Sequence, residues 1–233
     1  MCIRDSILPL AVPSYITAYA YAGIFDYGGI FSNIFLKIGF TEVKVDIMNI
    51  YGLVLVLSVS LFPYVYISSR AVFLYQSTKL MEASKLLGAS EIKTFLKIVI
   101  PISRPAIIGG LTLVLMEVLN DYGAAKYYGI STFTTGIFRS WFSLSELSTA
   151  IYLSSLLLLL VFILIYFERW QRGKKGFEKR TTDKLQLPKI KVSTRLSLVL
   201  TIIAFIPLLL GFIIPFIQLF SWGLLTYSEV LTD

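Results

Sequence analysis

The 233 residues contain no histidine and a single cysteine, Cys2. Those two shortages exclude a disulfide framework and a Cys/His zinc or haem centre, because each needs several ligands of that kind. No cofactor is implied. With no histidine and no nucleophile and base paired in a readable motif, a membrane-embedded enzyme has little support. No G-x-x-x-x-G-K followed by Ser or Thr occurs, so the chain is not expected to bind ATP itself. Charge is also scarce, at 15% of residues, while 56% are hydrophobic and mean hydropathy is +0.78. These values fall outside the range of soluble domains and describe an all-α integral membrane protein. No small-residue cleavage site follows Met1 to Ser6, so a signal peptide is not expected. The chain stops at Asp233, a few residues after an apolar run, as a fragment cut at both ends would.

A helix needs about 20 apolar residues to cross a bilayer core of about 30 Å. Four uncharged runs meet that length: Ser6 to Phe25, Ile47 to Ser69, Leu147 to Phe167 and Leu196 to Ser228. A fifth, beginning at Pro105, spans only if it continues through Glu117 and Asp121. Five crossings are therefore expected. Lys and Arg mark cytoplasmic segments. Arg70 to Arg104 holds six and Glu168 to Arg195 holds ten, whereas Asp26 to Asp46 and Tyr122 to Glu146 hold two each. This alternation puts the first two segments inside and the other two outside. It also accounts for the net charge of +7 without nucleic acid, since the basic residues sort by membrane side. The basic stretch 168–195, with Gly173, Gly176 and Pro188, is the expected boundary between a block at 1–167 and a lone span at 196–233, which Pro207 and Pro215 can bend. No complete internal repeat is present.

Between two apolar runs lies a polar, amphipathic island, EASKLLGASEIKTFLKIVIP, from Glu82 to Pro101. Leu80, Ala83 and Leu87 recur at helical spacing, and Gly88 follows where a residue tolerant of positive φ is wanted. Ser90 can cap a second helix. In it Ile92, Phe95, Leu96 and Val99 fall at i, i+3, i+4 and i+7, with Glu91, Lys93, Thr94 and Lys97 on the other face. Pro101 is expected to end that helix. By pattern alone this second helix can lie on the anionic inner leaflet or in the groove of a soluble partner.

Glu117 and Asp121 are four residues apart and share a helix face with Asn120 nearby. Carboxylates at membrane depth cost about 2.5 kcal/mol or more, so these three face a wet cavity or sit at a solvated helix end. They are the candidates for a translocation path. Tyr122, Tyr127 and Tyr128 follow, and oxygen ligands would suit a hard ferric ion, but tyrosine at a membrane boundary is commonly an interfacial anchor and no metal site is assigned. Arg139 and Trp141 lie on the outer side, where an interfacial helix or a docking surface is possible.

Glu82-Ala83-Ser84, three residues, Gly88, nine residues and Ile98-Val99-Ile100-Pro101 resembles the EAA signature of permease subunits of binding-protein-dependent ABC importers. Every spacing matches. The departures are Ser84 for the second alanine and Ile100 for leucine. LPLAVPSYITAYAYAGIFDYGG at Leu8 to Gly29 and LMEVLNDYGAAKYYGISTFTTGIFRSWF at Leu115 to Phe142 resemble the ferric-iron group, which fuses two half-permeases in one chain. The resemblance implies a type I, MetI-like fold in a bacterial or archaeal cytoplasmic membrane. Residues 1–167 would be the C-terminal part of one half-permease, and 196–233 the first span of the next. It implies two cytoplasmic ATP-binding subunits and an external substrate-binding protein as partners. It also gives Glu82, Ala83, Ser84, Gly88, Ile98 and Pro101 the role of contacting the ATPase. Thiamine, polyamine and sulfate permeases share much of this layout. A secondary transporter or channel using Glu117 and Asp121 is the alternative of another class.

Overall fold

The computed structural model describes residues 6–37, 45–86, 88–172 and 194–232. Cys2, Leu87 and linker residues 173–193 lie outside that set, as do the side chains of Glu82, Ala83 and Ile92. The described residues form helices and turns without strands. In chain order these are α1 (Ser14–Phe25), α2 (Ile30–Lys37), α3 (Ile50–Leu86), α4 (Glu91–Thr94), α5 (Ile100–Asn120), α6 (Gly123–Tyr127), α7 (Phe133–Phe138), α8 (Leu147–Arg172), α9 (Thr194–Leu208) and α10 (Ile214–Thr232). Among the described residues, four helical stretches are long and apolar enough to cross a membrane: Ile50–Phe73, Phe95–Asn120, Leu147–Gln171 and Thr194–Tyr227.

The first expected crossing is not one helix. Leu8–Ala11 is a short 3-10 turn, Val12 and Pro13 are extended, and only Ser14–Phe25 is α-helical. Pro13 lacks an N–H and drives the residue before it out of the helical region, which breaks the Ser6 to Phe25 run. Twelve residues reach about 18 Å, short of the hydrocarbon core. Thr17, Ala18 and Ala20 of α1 are fully buried, so one face of this helix packs inside the protein, while Tyr15 and Tyr19 are exposed.

Pro101 does not end its helix either. The chain stays helical from Glu91 to Asn120 through a π turn at Phe95–Val99, where Ile100 N–H bonds to the Phe95 carbonyl. A proline removes the bond to the carbonyl four residues back and crowds it; a wider turn just before the proline relieves that clash. The same device carries the last span past Pro215, with a π turn at Leu209–Ile213 joining α9 to α10. The first of these helices therefore runs on where the sequence predicts a stop, and the second stays helical through Pro207 and Pro215.

Helices α3 and α5 form the central antiparallel hairpin. They meet at Gly110, where an added Cβ would lie 2.7 Å from Val65 Cα and 3.2 Å from the Tyr64 carbonyl oxygen. Only a residue without a side chain permits that approach. Around it, Tyr21, Val56, Leu57, Leu61, Ala124 and Tyr128 build the buried core from α1, α3 and the residues after α5. The terminal span packs on this core. Tyr21 Oη donates to the Leu210 carbonyl at 2.7 Å, Gly211 lies against Pro9 and the Val59 carbonyl, and Trp222 packs against Tyr19 with ring centroids 4.9 Å apart.

Candidate functional site

Helix α3 has 37 residues, about 56 Å at 1.5 Å each, nearly twice the bilayer core. Its last turns therefore project past the apolar stretch that ends at Phe73. The helix stops at Leu86, and Gly88 takes φ +74°, the left-handed conformation in which glycine carries no Cβ penalty. Ala89 N–H bonds to the Ser84 carbonyl at 3.0 Å, closing the helix end by a six-to-one bond. Ser90 Oγ then accepts from Lys93 N–H at 3.4 Å and caps α4, as its position predicts. The result is a tight turn between two helices that are each continuous with a membrane-length stretch.

Of the island residues named from the sequence, Ser84 is buried and Gly88 exposed, while Ile98 and Pro101 are half-buried. Glu82 and Ala83 belong to the last turns of α3. The expected apolar stripe is only partly internal. Val99 is buried, but Phe95 is 48% and Leu96 56% exposed, and Leu86 at the turn is 90% exposed. Thr94, assigned by spacing to the polar face, is 3% exposed and donates from Oγ1 to Ser84 Oγ at 3.0 Å. The reversal has a physical cause: burial within the chain goes to the pair that joins α4 to α3, leaving the larger apolar groups as free surface. Sequence spacing missed Thr94. A pair of hydroxyl residues placed on either side of a glycine turn was the available signal.

At the other end of the hairpin, Glu117, Asn120 and Asp121 come together as their spacing predicts. With Ser14, Leu61 and Tyr122 they line a recess of about 210 Å³. Tyr64 Oη donates to Glu117 Oε1 at 3.3 Å, tying α3 to α5. Asp121 is held more firmly. Its carboxylate accepts from Ser14 Oγ at 2.5 Å, Ala124 N–H at 2.9 Å and Ala125 N–H at 3.3 Å, and its carbonyl accepts from Thr134 Oγ1 at 2.8 Å. It thus caps α6 and joins α1, α5 and α7. Glu117 and Asn120 are the more exposed of the three.

The tyrosines divide. Tyr122 packs its ring on Phe138 at 4.2 Å and receives Lys126 Nζ at its hydroxyl at 2.6 Å. Tyr128 is buried, donates to the Ala18 carbonyl at 3.4 Å, and burial pushes its phenol up to about 12, with Tyr127 and Tyr21 adding to the shift. Arg139, Trp141 and Phe142 are exposed, and the last two rings stack at 5.0 Å, leaving an aromatic surface at this end.

A second cavity, about 420 Å³, lies between α3, α5 and α8 and is lined by Ser68, Pro105, Thr112, Met116, Ile165 and Glu168 among others.

Comparison with known proteins bears on both ends of this hairpin. An Fe(3+)-transport system permease protein of Haemophilus influenzae is 26% identical over 168 residues, 72% of this chain and 29% of that protein. A probable sulfate transport system permease protein of Chlorokybus atmophyticus is 31% identical over 50% of this chain and 40% of its own length. A spermidine/putrescine transport system permease protein of Haemophilus influenzae is 26% identical over 53% of this chain and 43% of its own length. The chain spans less than half the length of each of these relatives. No solved structure matches it significantly. The sequence profile of one family covers residues 6–173, taking in the α3–α5 hairpin, its glycine turn and the recess, and the chain therefore belongs to the binding-protein-dependent transport system inner membrane components.

Proposed function

We propose that this chain is part of the membrane-spanning subunit of an ATP-driven importer for ferric iron, and that the turn from Glu82 to Pro101 docks on a cytoplasmic ATP-binding subunit. The observation that carries the reading is the glycine turn at the tip of two long helices, presenting Leu86, Phe95 and Leu96 outward where the chain itself does not cover them. An apolar, helical edge of this kind is what a groove in a soluble partner accepts. In this reading Gly88 makes the turn, Glu82 contributes a polar contact to the ATPase, Ala83 and Ser84 form the base of the turn, and Ile98 and Pro101 set the exit into α5. The basic segments that include this turn and residues 168–195 lie in the cytoplasm, with the linker joining two membrane blocks.

ATP-driven closure of two ATPase subunits would displace the turn, and the α3–α5 hairpin would re-tilt to open the substrate path outward and then inward. The recess at Glu117, Asn120 and Asp121 belongs to that path at its outer end. Iron is favoured among the substrates because, of the three relatives named, the ferric one is matched over the largest share of this chain. Its partner outside would be a substrate-binding protein that delivers the ion, so this chain need not coordinate it.

The test is reconstitution of the full-length protein with its ATPase and binding protein. Substituting Glu82 or Gly88 should lower substrate-stimulated ATP hydrolysis; hydrolysis and transport that both stay at wild-type levels refute the docking role. Radiolabelled ferric uptake by a deletion strain tests the substrate, with normal iron uptake and a loss of sulfate or polyamine uptake reassigning it. Uptake that persists without any ATPase and collapses with the ion gradient would instead make the protein a secondary transporter.

A further inference from the structure

The signature that the cytoplasmic turn resembles has alanine where this chain has Ser84, and the structure gives that extra hydroxyl a partner. Ser84 and Thr94 are each 3% exposed, and Thr94 Oγ1 donates to Ser84 Oγ at 3.0 Å across the turn. Each residue also anchors its own arm. The Ser84 carbonyl takes Ala89 N–H and closes the end of α3, while Thr94 N–H bonds to the Ser90 carbonyl at 2.9 Å and Thr94 stands immediately before the π turn leading into α5. Alanine and valine would fill the same volumes, so packing alone does not call for two hydroxyls. A hydrogen bond adds what packing lacks, a fixed register between two helices that could otherwise slide or splay.

We propose that the Ser84–Thr94 hydroxyl pair is a positioning pin that locks the two arms of the hairpin together, so that displacement of the Gly88 turn reaches the Gly110 crossing as one rigid motion. The inference rests on the docking reading above. Its mechanical logic is that α3 and the run from Glu91 to Asn120 are both unbroken between the turn and the crossing. A push delivered to an unpinned turn is absorbed by separation of the arms just above it. A pinned turn passes the same push up both helices. Neither Ser84 nor Thr94 needs to touch the ATPase for this role.

The experiment uses the full-length protein reconstituted with its ATP-binding subunit and binding protein, and reads the ratio of stimulated to unstimulated ATP hydrolysis. Thr94→Val and Ser84→Ala should each lower that ratio about fivefold, the population factor of one net neutral hydrogen bond. The double variant should fall no further than either single one. The exchanged pair, Ser84→Thr with Thr94→Ser, should recover most of the ratio, a rescue that loss of folding would not permit. A Lys93→Cys crosslink to the ATP-binding subunit reports docking separately. A crosslink that forms while Thr94→Val keeps the wild-type ratio overturns the pin and leaves docking standing. Failure of the crosslink in an otherwise unaltered complex overturns docking, and the pin's role in transmission with it.

Discussion

The close crossing of α3 and α5 can be tested by adding one methyl group. In Gly110→Ala the new Cβ would lie 2.7 Å from Val65 Cα, 3.2 Å from the Tyr64 carbonyl oxygen and 3.3 Å from Ser68 Cβ. Carbon atoms prefer about 3.5–4.0 Å, so the deficit against Val65 is roughly 1 Å. Two of the three neighbours are backbone atoms of a helix and cannot rotate away. The helices must part, and a gap of that size forfeits up to about half of each dispersion contact across the interface. Overpacking of this kind costs about 1–3 kcal/mol, against a gain of about 1 kcal/mol from alanine's better helix propensity. Because two of the clashing neighbours are backbone, the cost falls in the upper part of that range, about 2–3 kcal/mol, and the net loss of about 1–2 kcal/mol lowers the ratio of folded to unfolded protein roughly 5- to 30-fold. The measurement is thermal denaturation of the full-length protein in lipid nanodiscs, with Gly223→Ala as the control, since nothing lies within 4 Å of a Cβ there. Gly110→Ala should melt several degrees lower and Gly223→Ala no lower than wild type. A Gly110→Ala protein that melts at or above the wild-type midpoint refutes the crossing geometry.

Three further outcomes follow from single residues. Gly88→Ala forces a Cβ into φ +74°, a cost of about 1–2 kcal/mol, and in the proposed complex with an ATP-binding subunit should reduce stimulated ATP hydrolysis more than Gly88→Asn does, because asparagine tolerates the left-handed region; equal effects count against the turn geometry. Asp121→Ala removes an acceptor for Ser14, Ala124 and Ala125 and should destabilise the protein by about 1 kcal/mol or more in chemical denaturation, while an unchanged midpoint would deny its capping role. Tyr128 has an ordinary value near 10 in the unfolded chain and is pushed up to about 12 by burial in the folded one. Below pH 10 both states keep the proton, and above it the unfolded state ionises first. Stability present below pH 10 is therefore lost as pH rises toward 12. Tyr128→Phe should flatten that alkaline decline, and identical slopes for the two proteins between pH 10 and 12 would refute the assignment.

Much of this architecture was legible because the relevant physics is local. Length of apolar run identifies Ile50–Phe73, Leu147–Gln171 and Thr194–Tyr227, since crossing a bilayer is a matter of rise per residue. Gly88 and Ser90 were readable as a turn and a cap because left-handed φ and an N-terminal acceptor are demands of single positions. The effect of a proline depends on the turn before it. Pro13 breaks its segment where the sequence suggests a full crossing, whereas Pro101 is carried through by a π turn where the sequence suggests a stop. Both outcomes obey the same missing N–H, and the difference lies in whether the preceding turn widens or the chain extends, which composition does not encode.

The faces of the island are not legible in the sequence. Helical periodicity measures how polarity is distributed around an axis, and it cannot say whether the apolar side meets the rest of the chain or something beyond it. At α4 and the π turn the chain buries Thr94 against Ser84 and leaves Phe95 and Leu96 uncovered. A segment that served only to pack on its neighbours would make the opposite choice, because each large apolar side chain buried is worth about 1.5–3 kcal/mol and a neutral hydroxyl pair about 1 kcal/mol. Leaving the larger gain unused is consistent with burial completed by a partner. In that reading the hydroxyl pair fixes where the uncovered residues point, and the glycine turn holds them at the tip of helices that lead into the membrane.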